Sequence, residues 1–126
     1  LKHSGVMSWY SKLPQHKPNR FLGITEQNQS YFASLPIEAK CTYRWISHKK
    51  ELQRLQDVLN HRYLMMDYDD FVSQPEEYTR QLSEFLGVEN RFQPEEIKLE
   101  SLEKWKKYLS ESQVSIIDST IDQAFH

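Results

Sequence analysis

The chain has 126 residues, the size of one domain and enough to bury roughly two-thirds of its unfolded surface. Sixteen Lys and Arg against eighteen Asp and Glu leave a net charge of −2, which argues against a general electrostatic nucleic-acid binder, and the single cysteine, Cys41, excludes an intrachain disulfide or a zinc site built from several thiolates. Apolar residues make up 38% of the chain and no apolar run approaches the ~18 residues of a membrane helix, so the expectation is a soluble protein with no membrane span, and one cysteine fits a reducing, cytoplasmic compartment.

Ser4 to Lys12 has room for one or two helical turns. Leu13 to Pro36 carries Pro14, Pro18, Gly23 and Pro36 among polar residues without a sustained period, and reads as a long connecting loop over 13–36. From Glu38 to Asn60, the positions Cys41, Trp45, Leu52, Leu55 and Leu59, with His48 among them, fall on one stripe of a helix of about six turns. Lys40, Arg44, Lys49, Lys50 and Arg54 occupy the opposite face, where solvation is the ordinary role of such charges.

Arg62 to Tyr68 (RYLMMDY) is a short apolar run bounded by Asn60-His61 and Asp69-Asp70, the pattern of a buried strand centred on Tyr63 to Asp67. Its ladder groups need partners, so its sheet is expected from outside this sequence. Ser73-Gln74-Pro75-Glu76 has the form of a capping box with Pro in the first turn. The following helix runs to Leu86 with Tyr78, Leu82, Phe85 and Leu86 as its apolar stripe, and Gly87 stands where a left-handed terminator is wanted. Pro94 to Leu109 reads as helical in parts and contains the basic and aromatic run Lys104-Trp105-Lys106-Lys107-Tyr108. A second capping box, Ser110-Glu111-Ser112-Gln113, opens a last helix with Val114, Ile117, Ile121 and Phe125 along one side.

Simple chemistry is thinly marked. The five histidines show no paired spacing with carboxylates of the kind a zinc helix requires. Asp67, Asp69 and Asp70 lack the glycine turn and terminal glutamate of a calcium loop, and fit caps and turns better. Gly5, Gly23 and Gly87 are isolated, so there is no Gly-rich phosphate loop.

A larger unit carries more information. Tyr68-Asp69-Asp70-Phe71, then Pro75, then Phe85-Leu86-Gly87 resembles the sulfotransferases that use 3′-phosphoadenosine-5′-phosphosulfate, in which a strand ends in Tyr-Glu-Asp-Leu, a Pro follows about five residues on, and a helix closes with Phe-Leu-Gly. Trp45 and Lys104-Trp105 are similar to bacterial members, and Asp69 replaces the usual Glu. Ser8-Trp9-Tyr10 resembles the second half of the family's 3′-phosphate motif, an Arg followed eight positions later by a Ser that opens a helix. Helix amino ends favour phosphate through free amides and the dipole.

The resemblance implies an α/β protein of the P-loop kinase-like class, with 1–126 as the carboxy-terminal part of a single domain. It implies transfer of a sulfuryl group from 3′-phosphoadenosine-5′-phosphosulfate to a hydroxyl or amine on a small molecule or glycan, without a metal. The acceptor attacks in line, a base removes its proton, and a loop amide and Lys stabilise the leaving phosphate. In this chain Ser8 is expected at the 3′-phosphate, Tyr68 near the adenosine, and Lys104, Lys106 or Lys107 at donor phosphates. No catalytic residue is assigned. The chain begins at Leu1 rather than Met, and the catalytic residues and the phosphate-binding Arg are expected upstream, so the upstream part of the same protein is the expected partner. The rival is a non-catalytic helical interaction module on the same scaffold; a phosphotransferase would need a metal-binding acidic strand that the sequence does not offer.

Overall fold

The computed structural model of the chain describes residues 3–89 and 99–125. Its α-helices are α1 (His3–Ser11), α2 (Ile37–Leu59), α3 (Tyr68–Ser73), α4 (Pro75–Leu86), α5 (Lys104–Tyr108) and α6 (Glu111–Phe125), with single 3-10 turns at Phe32–Ser34, Asn60–Arg62 and Leu99–Glu103. No helix among the described residues is long and apolar enough to cross a membrane.

The expected α/β architecture is not found. Among the described residues there is no strand, and the bridge between Asn19 and Ile24 is an isolated one. Tyr63 to Asp67 leave the helical region, with Tyr63 at φ −134°, ψ 125° and Asp67 at φ −76°, ψ 135°. They are extended as a strand would be, but no described segment runs beside them to complete a ladder, and extension without pairing is not a sheet. These residues therefore make a helical protein.

The chain divides into two compact units, one built from the described residues up to Arg54 together with Leu109–Phe125, the other from those between Leu55 and Tyr108. In the first, the core is Tyr10, Leu22, Ile24 and Phe32, packed by Val6, Leu13, Leu35, Ile37 and Tyr43. Three of those four buried residues come from the segment read as a plain loop. Asn28 organises it: its Oδ1 accepts from the Thr25 amide at 2.8 Å and its Nδ2 donates to the Gly23 carbonyl at 3.0 Å. Asn19 and Ile24 exchange backbone bonds at 2.8 and 3.0 Å, closing a turn that drives Leu22 and Ile24 inward. Gly23 sits at φ +77° against α2, where a Cβ would lie 2.2 Å from the Tyr43 carbonyl oxygen. Only glycine fits both the backbone angle and that approach.

Helix α2 buries a face other than the expected stripe. Ala39, Lys40, Thr42 and Ile46 are its buried residues, whereas Cys41, Trp45 and Leu52 are exposed. Two of the basic residues also depart from a simple solvated role. Lys40 is only 9% exposed and donates from Nζ to the Ala33 carbonyl at 2.8 Å, and burial pulls its pKa down. Arg44 stacks on two aromatic rings, as described below. Helix α6 opens as the sequence suggests: Ser110 Oγ accepts from the Gln113 amide at 3.3 Å while Gln113 Oε1 accepts from the Ser110 amide at 2.9 Å, a reciprocal box that satisfies two orphan donors. Of its stripe, Val114, Ile117 and Ile121 are half-buried and Phe125 is exposed.

In the second unit Asp67 caps α3, its carboxylate accepting from the Asp69 and Asp70 amides, which explains the aspartate cluster without a cation. The Ser73 box does not form. Ser73 still belongs to α3 and donates its hydroxyl to the Asp69 carbonyl at 2.7 Å, so Gln74 becomes the cap of α4 without a side-chain bond. Pro75 opens α4 and Gly87, at φ +67°, closes it. Val72, Thr79 and Ser83 are the buried residues of α3 and α4, while Phe85 and Leu86 of the expected stripe are exposed. On the outer face, Arg80 bridges Glu77 and Glu84, and its guanidinium pulls the Glu77 carboxyl down to about 2. Of the stretch from Pro94 to Leu109, residues 94–98 lie outside the described residues; the rest holds the 3-10 turn and α5.

Candidate functional site

The residues singled out by sequence fall in both units. Ser8 lies in the first, exposed on α1. The helix starts five residues earlier, at His3, so Ser8 does not open it, and its amide is beyond the four free N–H groups of a helix amino end. What Ser8 can offer is its hydroxyl. Tyr68, Lys104 and Lys106 lie in the second unit. Asp67 places Tyr68 at the first position of α3, where the ring is 61% exposed. Lys104 opens α5 and is exposed. Lys106 is committed locally, its ammonium bonded to Glu103 and 5.8 Å from the centre of the Trp105 ring.

Around Arg44 the first unit holds an aromatic and cationic cluster that the sequence did not disclose. The guanidinium carbon stands 4.3 Å from the Phe21 ring centre and 5.3 Å from that of Trp9, and Trp9 meets both Tyr10 and Phe21 edge-on. Such stacking fixes a guanidinium without a carboxylate partner. His48 Nε2 donates to the Phe21 carbonyl at 3.2 Å and Ser47 Oγ to that of Arg20 at 2.7 Å, pinning the loop to α2. A groove of about 710 Å³ with a mixed lining borders the cluster, with Arg20, Lys50 and Arg54 along it. Arg54 is closed onto Glu51 by three bonds of 2.6 to 3.1 Å, and the Lys50 ammonium lies 5.5 Å from the Phe125 ring centre.

A second groove, of about 500 Å³, is apolar and runs between α1, α2 and α6. Val6, Cys41, Trp45, Ile117 and Ile121 line it, and Glu38 lies among them. Glu38 is held from α6, where Gln113 Nε2 donates to its Oε1 at 2.6 Å. The Ser110 amide already occupies Gln113 Oε1, so the amide group can face Glu38 only with its donors. Thr42 turns its hydroxyl to the Glu38 carbonyl at 2.8 Å. Although Cys41 is exposed as a residue, partial burial of its thiol raises it above its ordinary value, against smaller lowering effects of Tyr10 and Arg44 and with a still smaller rise from Glu38. Beneath it, burial pushes the Tyr10 phenol up to about 12. Glu38 carries no signal in the sequence, because its partner is 75 residues away.

Among the described residues no group of three or more His, Cys, Asp or Glu is gathered as metal ligands. No protein-family model, curated protein or solved structure matches this chain.

Proposed function

We propose that the chain takes part in sulfuryl transfer from 3′-phosphoadenosine-5′-phosphosulfate to a hydroxyl or amine acceptor. The observation that carries the reading is the block from Asp67 to Gly87. An extended segment is closed by the Asp67 cap, Tyr68-Asp69-Asp70-Phe71 forms the short α3, Pro75 opens α4, and Gly87 ends it in the left-handed conformation. That order is the one in which the sulfotransferase signals follow each other. The reading rests on the order of signals and on no sheet. Each donor contact is taken by itself: the Ser8 hydroxyl for the 3′-phosphate, Tyr68 for the adenosine, and Lys104 with Lys106 for donor phosphates. No residue is assigned here to removal of the acceptor's proton.

A second reading, a helical interaction module without catalysis, is favoured by the large apolar side chains left exposed among the described residues, such as Met7, Val58, Met65, Leu86 and Trp105. Thermal melting with nucleotides separates the two. Adenosine 3′,5′-bisphosphate in large excess is expected to raise the Tm, and adenosine 5′-monophosphate at the same concentration to leave it in place, because only a ligand of the folded state stabilises it. Equal shifts, or none, contradict the nucleotide reading and leave the interaction module.

A further inference from the structure

From the apolar groove of the first unit we infer that it is a binding site for an organic amine carried on a ring or short alkyl frame. The inference does not rest on the sulfuryl-transfer reading. Three observations carry it.

The first is shape: three helices wall a space of about 500 Å³, within the range of ordinary small-molecule pockets. The second is composition, since Val6, Cys41, Trp45, Ile117 and Ile121 face it and give an apolar frame its contact area. A thiol is protonated near neutral pH and that of Cys41 is shifted further up, so that wall is uncharged.

Charge is the third. Glu38 lines the groove, and its carboxylate is held in place before any ligand arrives by the chain Ser110 to Gln113 to Glu38. A carboxylate has about four acceptor sites, so one amide bond leaves room for an ammonium. Of the basic residues of α2, Lys40 is bonded to the Ala33 carbonyl and Arg44 stacks on Phe21 and Trp9, while Lys49 lies over the groove's own Trp45 ring. A fixed negative charge beside apolar walls selects a cation with an apolar body over its neutral analogue.

Calorimetric titration of 2-phenylethylamine and of 2-phenylethanol tests the site, together with the methyl resonances of Ile117 and Ile121. The amine is expected to bind at least about tenfold tighter than the alcohol, one charge-assisted bond being worth about that, and to shift both methyl groups. Glu38→Gln keeps the shape and should bring the two ligands within about twofold of each other without weakening the alcohol. Equal binding of the two by the unaltered protein, an undiminished preference in Glu38→Gln, or binding that leaves Ile117 and Ile121 unshifted each overturns the proposal, as does the absence of binding.

Discussion

Gln113 on α6 donates its side-chain amide to the carboxylate of Glu38 on α2 at 2.6 Å. That bond ties the last helix to the start of the longest one and makes the capping box of α6 part of the tertiary structure. Both side chains are half-buried, so the pair should be worth more than a surface contact and less than a buried charge. A double-mutant cycle with Glu38→Ala and Gln113→Ala, read by denaturant unfolding, is expected to give a coupling of about 1 kcal/mol. Additive losses would mean that the two residues act separately.

Gly23 and Gly87 share a positive φ but not a neighbourhood. A Cβ at Gly23 meets the backbone of Tyr43 and Arg44 at 2.2 to 2.6 Å, while one at Gly87 meets nothing within 4 Å. Gly87→Ala should therefore cost about 1 kcal/mol, the left-handed penalty alone. Gly23→Ala adds overpacking against a rigid helix and should cost about 2 to 4 kcal/mol in all. Unfolding midpoints compare the two, and equal losses would remove the close packing of the loop on α2.

Much of the local structure was legible because its causes are local. The Ser110 and Gln113 box, Pro75 at the start of α4 and Gly87 at its end each depend on residues within one turn, and all three stand as read. Ser73 misled because α3 runs on to it and uses its hydroxyl on Asp69. Leu22, Ile24 and Phe32 follow neither helical nor strand period. Their burial comes from the turn closed by Asn19 and the bonds of Asn28, which no periodicity reports. Cys41 and Trp45 were recognised as a stripe, but a stripe does not say whether another element covers it, and here it faces an open groove. Tyr63 to Asp67 have the composition of a strand, yet a ladder needs a second segment and the described residues provide none. Glu38 was passed over because only the fold brings Gln113 to it.

Cys41 offers a pH test of the groove. Partial burial raises its thiol pKa by more than Tyr10 and Arg44 lower it, so the thiolate that reacts with alkylating agents appears only as pH climbs past the ordinary cysteine range, at about 8.5. Alkylation by iodoacetamide should be slower than that of free cysteine at pH 8, with its midpoint displaced upward. A midpoint at or below that of free cysteine would place the thiol in a solvated or electropositive setting instead of an apolar one.

The sulfuryl-transfer account is tested most directly at Ser8, by calorimetric titration of adenosine 3′,5′-bisphosphate and adenosine 5′-monophosphate against the unaltered protein and Ser8→Ala. Ser8 is exposed inside α1 rather than at its start, so its loss removes a hydroxyl donor and no cap. One charge-assisted hydrogen bond contributes roughly 1.5 to 3 kcal/mol, and affinity for the bisphosphate should fall by about ten- to a hundredfold while that for the monophosphate hardly changes. Equal losses for both nucleotides, or no loss for either, would contradict the account and show that Ser8 does not hold the 3′-phosphate.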